Sequence, residues 1–143
     1  MRHGATLVEL LVVVGVLGIL AGLAVPAATR ARDRALIAQQ AQRIAAAHAA
    51  TRSAARLAGA RAELTIQGHA LRQRQWTAGG YLATWHRPGP AAEAVALSGP
   101  ASPIVFDSRG YSLGAGNRTY RLYRGRDSAT VVISRLGRLR ILP

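Results

Sequence analysis

From Leu10 to Thr29 the chain carries 20 consecutive residues without a charged side chain, and Glu9 stands directly in front of that run. As a helix rising ~1.5 Å per residue, the run spans ~30 Å, the thickness of a bilayer's hydrocarbon core. Two readings compete for such a segment. It can be a retained membrane helix, or a cleaved secretory signal, for which Ala21-Gly22-Leu23-Ala24 supplies small residues after an apolar core. Glu9 weighs against the signal, because a carboxylate costs ~2.5–3.5 kcal/mol at the centre of a membrane helix and somewhat less near its end. A disposable segment gains nothing from that cost. Gly15, Gly18 and Gly22 each sacrifice ~1 kcal/mol of helix propensity. The Gly18-x-x-x-Gly22 spacing lets helices approach closely, although glycine is also ordinary membrane-helix composition.

Past Thr29 about 114 of the 143 residues remain, enough for one small domain and too few for two. With no cysteine, that domain relies on packing alone. All 19 basic residues are arginine, against six acids, for a net charge of +13. A balance this basic speaks to partners rather than to fold.

Between Arg30 and Leu57 the chain is alanine-rich and free of glycine and proline. Leu36, Ile37, Ile44, Ala47, Thr51 and Ala55 recur there at roughly helical spacing. The membrane helix is expected to continue through this stretch for about 50 residues in all and to stop at Gly59, which readily adopts a left-handed turn. From Ala62 the pattern changes to short alternating runs bounded by turn residues, a strand signature. Expected strands are Glu63 to Gln67, Ala70 to Trp76, Tyr81 to Trp85, Ala94 to Leu97, Ile104 to Phe106, Thr119 to Arg124, Thr130 to Arg135 and Arg138 to Leu142. Gly79-Gly80 reads as a hairpin turn. The stretch from Arg87 to Pro103 holds four of the six prolines and reads as an exposed loop with at most one short strand.

Catalysis finds no constellation to carry it. His3, His48, His69 and His86 are scattered and read as isolated exposed side chains; no acid is placed beside them for a general base or a metal site. Ser112 and Ser134 lie in strand contexts without the strained turn of a nucleophile. The expectation is a non-enzyme with no cofactor, metal or catalytic residue.

Gly4-Ala5-Thr6-Leu7-Val8-Glu9, followed by the apolar helix and Pro26, resembles the leader of type IV pilins and type II secretion pseudopilins. The resemblance implies that a prepilin peptidase cuts after Gly4 and methylates the new amino terminus at Ala5, so that the helix is retained. It implies that Glu9 neutralises the Ala5 amine of a neighbouring subunit during filament assembly, giving a buried charge its partner. Pro26 matches the family proline that loosens the helix. Ala5 departs from the commoner phenylalanine. The presence of Glu9 argues against the tip subunit that lacks this acid. The family topology puts the amino terminus in the cytoplasm and everything after Arg30 on the far side of the inner membrane. Charge asymmetry alone favours the reverse, since Arg30, Arg32 and Arg34 outnumber Arg2. The implied organisation is a leader over 1–4, a membrane and assembly helix over 5–29, its exposed continuation over 30–58, and a β-rich domain over 59–143. The expected fold class is α+β, a long helix packed on an antiparallel sheet.

Ile104-Val105-Phe106-Asp107-Ser108-Arg109-Gly110, Tyr120-Arg121-Leu122, and Val131 to Arg140 with its Gly137-Arg138-Leu139-Arg140 element resemble the GspH/FimT class of minor pseudopilins. The middle of the chain, Ala58 to Pro103, carries no motif of that class. Eight arginines follow Ser108 against the single acid Asp127. On the last strand, alternation turns Leu139 and Ile141 to the core and Arg138 and Arg140 outward, ~7 Å apart. Guanidinium forks suit phosphate, and Tyr120 and Tyr123 offer a stacking surface. Two functions stay open. One is a filament subunit that primes or caps a secretion pseudopilus or pilus through contacts with other pilins. The other is a FimT-like pilin that binds DNA for natural transformation, with Arg121, Arg124, Arg135, Arg138 and Arg140 as the candidate contacts. Anionic envelope polymers are a third partner for the same face.

Overall fold

In the computed structural model, which describes residues 6–114 and 116–143, one helix α1 (Leu7–Leu57) runs for 51 residues. Thr6 is its N-cap, its hydroxyl oxygen accepting from the Glu9 N–H at 3.3 Å. Thr6-x-x-Glu9 thus has the spacing of a capping box, and the carboxylate sits in the first turn, where the helix dipole favours it. Pro26 lies inside the helix without breaking it, leaving the Gly22 carbonyl without its usual donor. The Thr29 hydroxyl donates to the Pro26 carbonyl at 2.9 Å. At the far end the Ala60 N–H reaches the Ala55 carbonyl and the Gly59 N–H the Arg56 carbonyl. Gly59 sits at φ +59°. This pairing across a left-handed residue is the Schellman stop, as the glycine implied.

The helix changes character at one level. From Thr6 to Arg32 every described side chain is exposed. From Ile37 onward Ile37, Gln40, Ala41, Ile44, Ala47, His48, Thr51 and Ala55 are buried, a stripe spaced by three and four residues.

Two antiparallel sheets pack on that stripe. The first is formed by β1 (Ala62–Ile66), β2 (Ala70–Thr77), β3 (Gly80–Pro88), β5 (Ile104–Phe106) and β6 (Ser112–Leu113), in the order β3-β2-β1-β5-β6. The second is formed by β4 (Ala96–Ser98), β7 (Arg118–Arg124), β8 (Asp127–Ile133) and β9 (Leu139–Leu142), in the order β4-β7-β8-β9. Alternation sends Leu64, Ile66, Ile104 and Phe106 from one sheet, and Tyr120, Leu122, Val131 and Ile133 from the other, into a single core with the helix. Leu139 and Ile141 are half-buried against that core while Arg138 and Arg140 are exposed, as alternation predicted.

Several expectations are corrected. The stretch 87–103 is largely exposed with one short strand, as expected, but it is more ordered than a loop. It holds a 3-10 turn (Pro90–Glu93) and β4, with Pro90 and Val95 buried. Gly89 sits so tightly against the backbone of Gly68 and Ala70 that a Cβ there would collide. The strand expected at Ala94 to Leu97 starts later because Ala94 takes a left-handed φ of 53°. The hairpin turn is Ala78-Gly79, with Gly80 already paired to Thr77. The short β6 was not anticipated. His48 is not an exposed histidine. It is 4% exposed, its ring edge-on to Phe106 at 5.2 Å between centroids.

Candidate functional surfaces

The first surface is the apolar half of α1. Glu9 lies at its amino-terminal end, exposed and, among the described residues, with no side-chain partner. Gly4 and Ala5, the expected cleavage and methylation residues, lie outside the described residues. Around Gly15, Gly18 and Gly22 a Cβ would meet, among the described residues, no atom within 4 Å beyond its neighbours and the helix's own backbone. Nothing within the chain therefore requires glycine at these three positions.

The second surface is the set of carboxy-terminal arginines, and the structure divides it. Arg124 faces inward, its Nε 2.6 Å from the Asp33 carboxylate on α1, and it also donates to the Glu93 carbonyl. The preceding Tyr120, offered above as a stacking ring, is fully buried because it shares the inward side of β7 with Leu122. Burial raises the pKa of its hydroxyl, an effect that outweighs the nearby Arg118. Tyr123 points the other way and is 45% exposed.

Arg121 is exposed on the outward side, in register with Ser98 on β4 and Thr130 on β8. Its guanidinium lies 3.5 Å from the Ser128 hydroxyl. Arg135 and Arg138 belong to the β8–β9 turn at the far end of the sheet, and Arg140 follows on β9 opposite Val132. Ser134 and Arg138 close the β8–β9 turn: the Ser134 N–H donates to the Arg138 carbonyl at 2.8 Å, and the Arg138 N–H to the Ser134 hydroxyl at 3.1 Å. The Arg135 N–H donates to Asn117 Oδ1. All three side chains are exposed and, among the described residues, free of side-chain hydrogen bonds.

Contacts with α1 set the height of the two ends. The β7–β8 turn meets Asp33, and Arg34 Nε reaches Asp127 at 2.8 Å. The β8–β9 turn instead meets Phe106 through Gly137, and Phe106 meets His48. Asp33 and His48 are ~22 Å apart along a helix. Of the five candidate arginines, the inward Arg124 therefore marks the near end and Arg135 and Arg138 the far end, while Arg121, at mid-strand opposite Thr130, and Arg140, opposite Val132, lie between them on the outward face.

A third surface went unnoticed in the sequence. On the outward side of the first sheet, Arg74 stacks over Tyr81 at 5.1 Å and pairs with Glu63 at 2.9 Å, while Trp76 meets Tyr81 edge-on at 5.0 Å. The alternation Arg72-x-Arg74-x-Trp76 was the signal for it, since period two places these side chains on one side of a strand. Among the described residues no three His, Asp or Glu side chains gather as metal ligands do.

Neither a protein-family model nor a curated protein matches this sequence. Solved structures do match its shape. The type IV minor pilin FimU of Pseudomonas aeruginosa superposes with a TM-score of 0.64 at 17% identity, over 78% of this chain and 91% of FimU. The minor pseudopilin EpsH of the Vibrio cholerae type 2 secretion system superposes with a TM-score of 0.60 at 19% identity, over 74% of this chain and 95% of EpsH. The long α1 carrying antiparallel sheets along its second half is the pilin-like fold of minor pilins and minor pseudopilins.

Proposed function

We propose that this chain is a minor subunit of a type IV pilus-like filament or type II secretion pseudopilus. It is anchored in the inner membrane by α1, with the head on the periplasmic side. The observation that carries this reading is the sharp boundary in α1: an apolar half whose described side chains are all exposed continues, without a break, into a half that forms the core of the head. Such a half needs lipid before assembly and neighbouring helices after it. In this reading prepilin peptidase cleaves after Gly4 and methylates Ala5, Glu9 pairs with the Ala5 amine of a neighbouring pilin, and Pro26 loosens the helix in the filament. A net charge of +13 disfavours many copies side by side and suits a subunit present sparsely among others. The test is Glu9→Ala. The variant should remain in the membrane fraction and vanish from sheared filaments or the secretion-competent pseudopilus. Incorporation at the wild-type level overturns the reading.

A second reading, DNA capture, is favoured by Arg135, Arg138 and Arg140, three exposed and unpaired guanidinium groups toward the end of the sheet remote from the membrane helix. Phosphate contacts of this kind release counterions and have little sequence preference. Full-length protein in detergent should bind duplex DNA with an affinity that falls steeply with salt, and Arg138→Ala with Arg140→Ala should abolish it. Absence of binding at low salt removes this reading and leaves the filament role standing.

A further inference from the structure

The near end of the second sheet holds a cavity that neither reading uses. It measures 450 Å³ and its lining includes Ser98, Arg121, Tyr123, Arg126, Asp127 and Ser128. Its donors are two guanidinium groups and three hydroxyls. The single acid in the lining is already neutralised, because Asp127 pairs with Arg34 at 2.8 Å. The cavity therefore has net positive charge and a surplus of donors, the chemistry that takes a phosphate.

Its height is fixed by the helix. The β7–β8 turn that carries Gly125 and Arg126 is held to α1 at Asp33, by the Arg124 pair at 2.6 Å. Asp33 lies four residues beyond the last residue of the uncharged run, or ~6 Å along the helix. The headgroup layer of a bilayer is ~5–7 Å thick on each side of the hydrocarbon. With α1 in the membrane, Arg126 thus stands at headgroup level, a layer that the exposed Arg30 and Arg32 of α1 also enter.

An apolar groove of 640 Å³ between α1 and β9 shares Asp127 and Ser128 with this cavity. It is walled by Ile37, Ala38, Ile141 and Leu142. Ile37 lies ~12 Å beyond Thr29, above the headgroup layer, so the groove opens on the side of the cavity away from the bilayer, and it is the level of Arg126 that favours a lipid phosphate over a free anion.

From this juxtaposition we infer that the base of the head binds the headgroup of an anionic phospholipid. Its phosphate engages Arg121 and Arg126, while its glycerol and acyl chains stay in the bilayer below. The inference rests on α1 being inserted in the membrane. Bound lipid would orient the head on the bilayer before a neighbouring subunit replaces it, consistent with the modest attraction of a few arginines for an anionic leaflet.

The test uses the full chain. Detergent-solubilised protein is titrated with phosphatidylglycerol and with phosphatidylcholine, and lipid adducts are counted by native mass spectrometry. Phosphatidylglycerol should bind preferentially, and Arg121→Gln with Arg126→Gln should weaken it about thirtyfold. Arg138→Gln with Arg140→Gln removes the same charge toward the far end and should leave binding unchanged. Excess inorganic phosphate should not displace the lipid. Equal weakening by both double variants would reduce the effect to net charge and overturn the site. So would equal binding of the two lipids, or displacement by inorganic phosphate, which would assign a free-anion pocket instead. Reconstitution into phosphatidylcholine nanodiscs separates the premises. A chain that inserts yet has no lipid preference loses only this inference, whereas one that does not insert loses the membrane reading with it.

Discussion

Asp33 and Arg124 are 91 positions apart in the chain and meet at 2.6 Å, where α1 leaves the uncharged run and the second sheet begins. With the neighbouring Arg34–Asp127 pair, 93 positions apart, the contact ties the β7–β8 turn to the helix and decides which way that turn faces. Both side chains are about a quarter exposed, so the pair is worth more than a surface ion pair yet remains partly screened. Arg124→Met should lower the unfolding free energy of the head by about 1–2 kcal/mol. Combined with Asp33→Asn, it should cost less than the sum of the single losses. Urea titration followed by near-ultraviolet circular dichroism checks both values, and strict additivity would mean the two residues do not couple.

The histidine buried between helix and sheet gives the fold an acid sensitivity. Burial, and secondarily the charge of Arg52, lowers the pKa of His48 from 6.5 to about 4. Because the folded value lies below the unfolded one, the neutral ring favours the folded state. The contribution is complete above pH ~6.5 and is lost as the pH falls from there toward 4, by up to about 3 kcal/mol. Replacing His48 with Gln should flatten the stability profile between those limits. Profiles of equal slope for wild type and variant would remove His48 as the cause.

Gly89 tests the corrected middle of the chain. Its backbone crosses the 67–70 turn so closely that a methyl group would overlap Gly68 O and Ala70 N, both main-chain atoms that cannot swing aside. Gly89→Ala should therefore destabilise the head by about 3 kcal/mol, although position 89 lies in what reads as a tolerant proline-rich loop. Thermal melting within a degree of wild type would contradict the packing of 87–103.

Much of this architecture is legible in the sequence where local rules act alone. The glycine stop of α1, the sheet and the outward placement of Arg138 and Arg140 all follow from propensity and period. Tyr120 and His48 were misread although their signals were local. Tyr120 shares strand parity with the apolar Leu122, and His48 lies four residues after Ile44 on the buried stripe. The division of the arginines could not be read in this way. Alternation gives the side of a sheet but neither its height along the helix nor a partner such as Asp33, because both depend on the packing of distant segments. The same limit hid the cavity beside Arg126, whose lining comes from β4, β7 and β8.

The three membrane-segment glycines carry the last prediction. Each costs ~1 kcal/mol relative to alanine in a helix, and within the chain none is needed for a close contact. A residue type that weakens its own helix and relieves no crowding there acquires a purpose only against another helix, where backbones can approach across the missing side chains. Gly18→Leu should therefore leave the head's melting temperature and the membrane fraction unchanged, since among the described residues no atom beyond its neighbours and the helix's own backbone stands within 4 Å of the new Cβ. It should lower incorporation into filaments by about five- to thirtyfold, corresponding to ~1–2 kcal/mol of lost helix contact. Alanine at the same position should have a smaller effect, because one methyl group adds helix propensity while separating the helices only slightly. Quantifying the subunit in sheared filaments against its membrane pool measures the ratio. Equal incorporation of wild type, Gly18→Ala and Gly18→Leu would mean that these glycines face lipid and that neighbouring subunits grip α1 elsewhere.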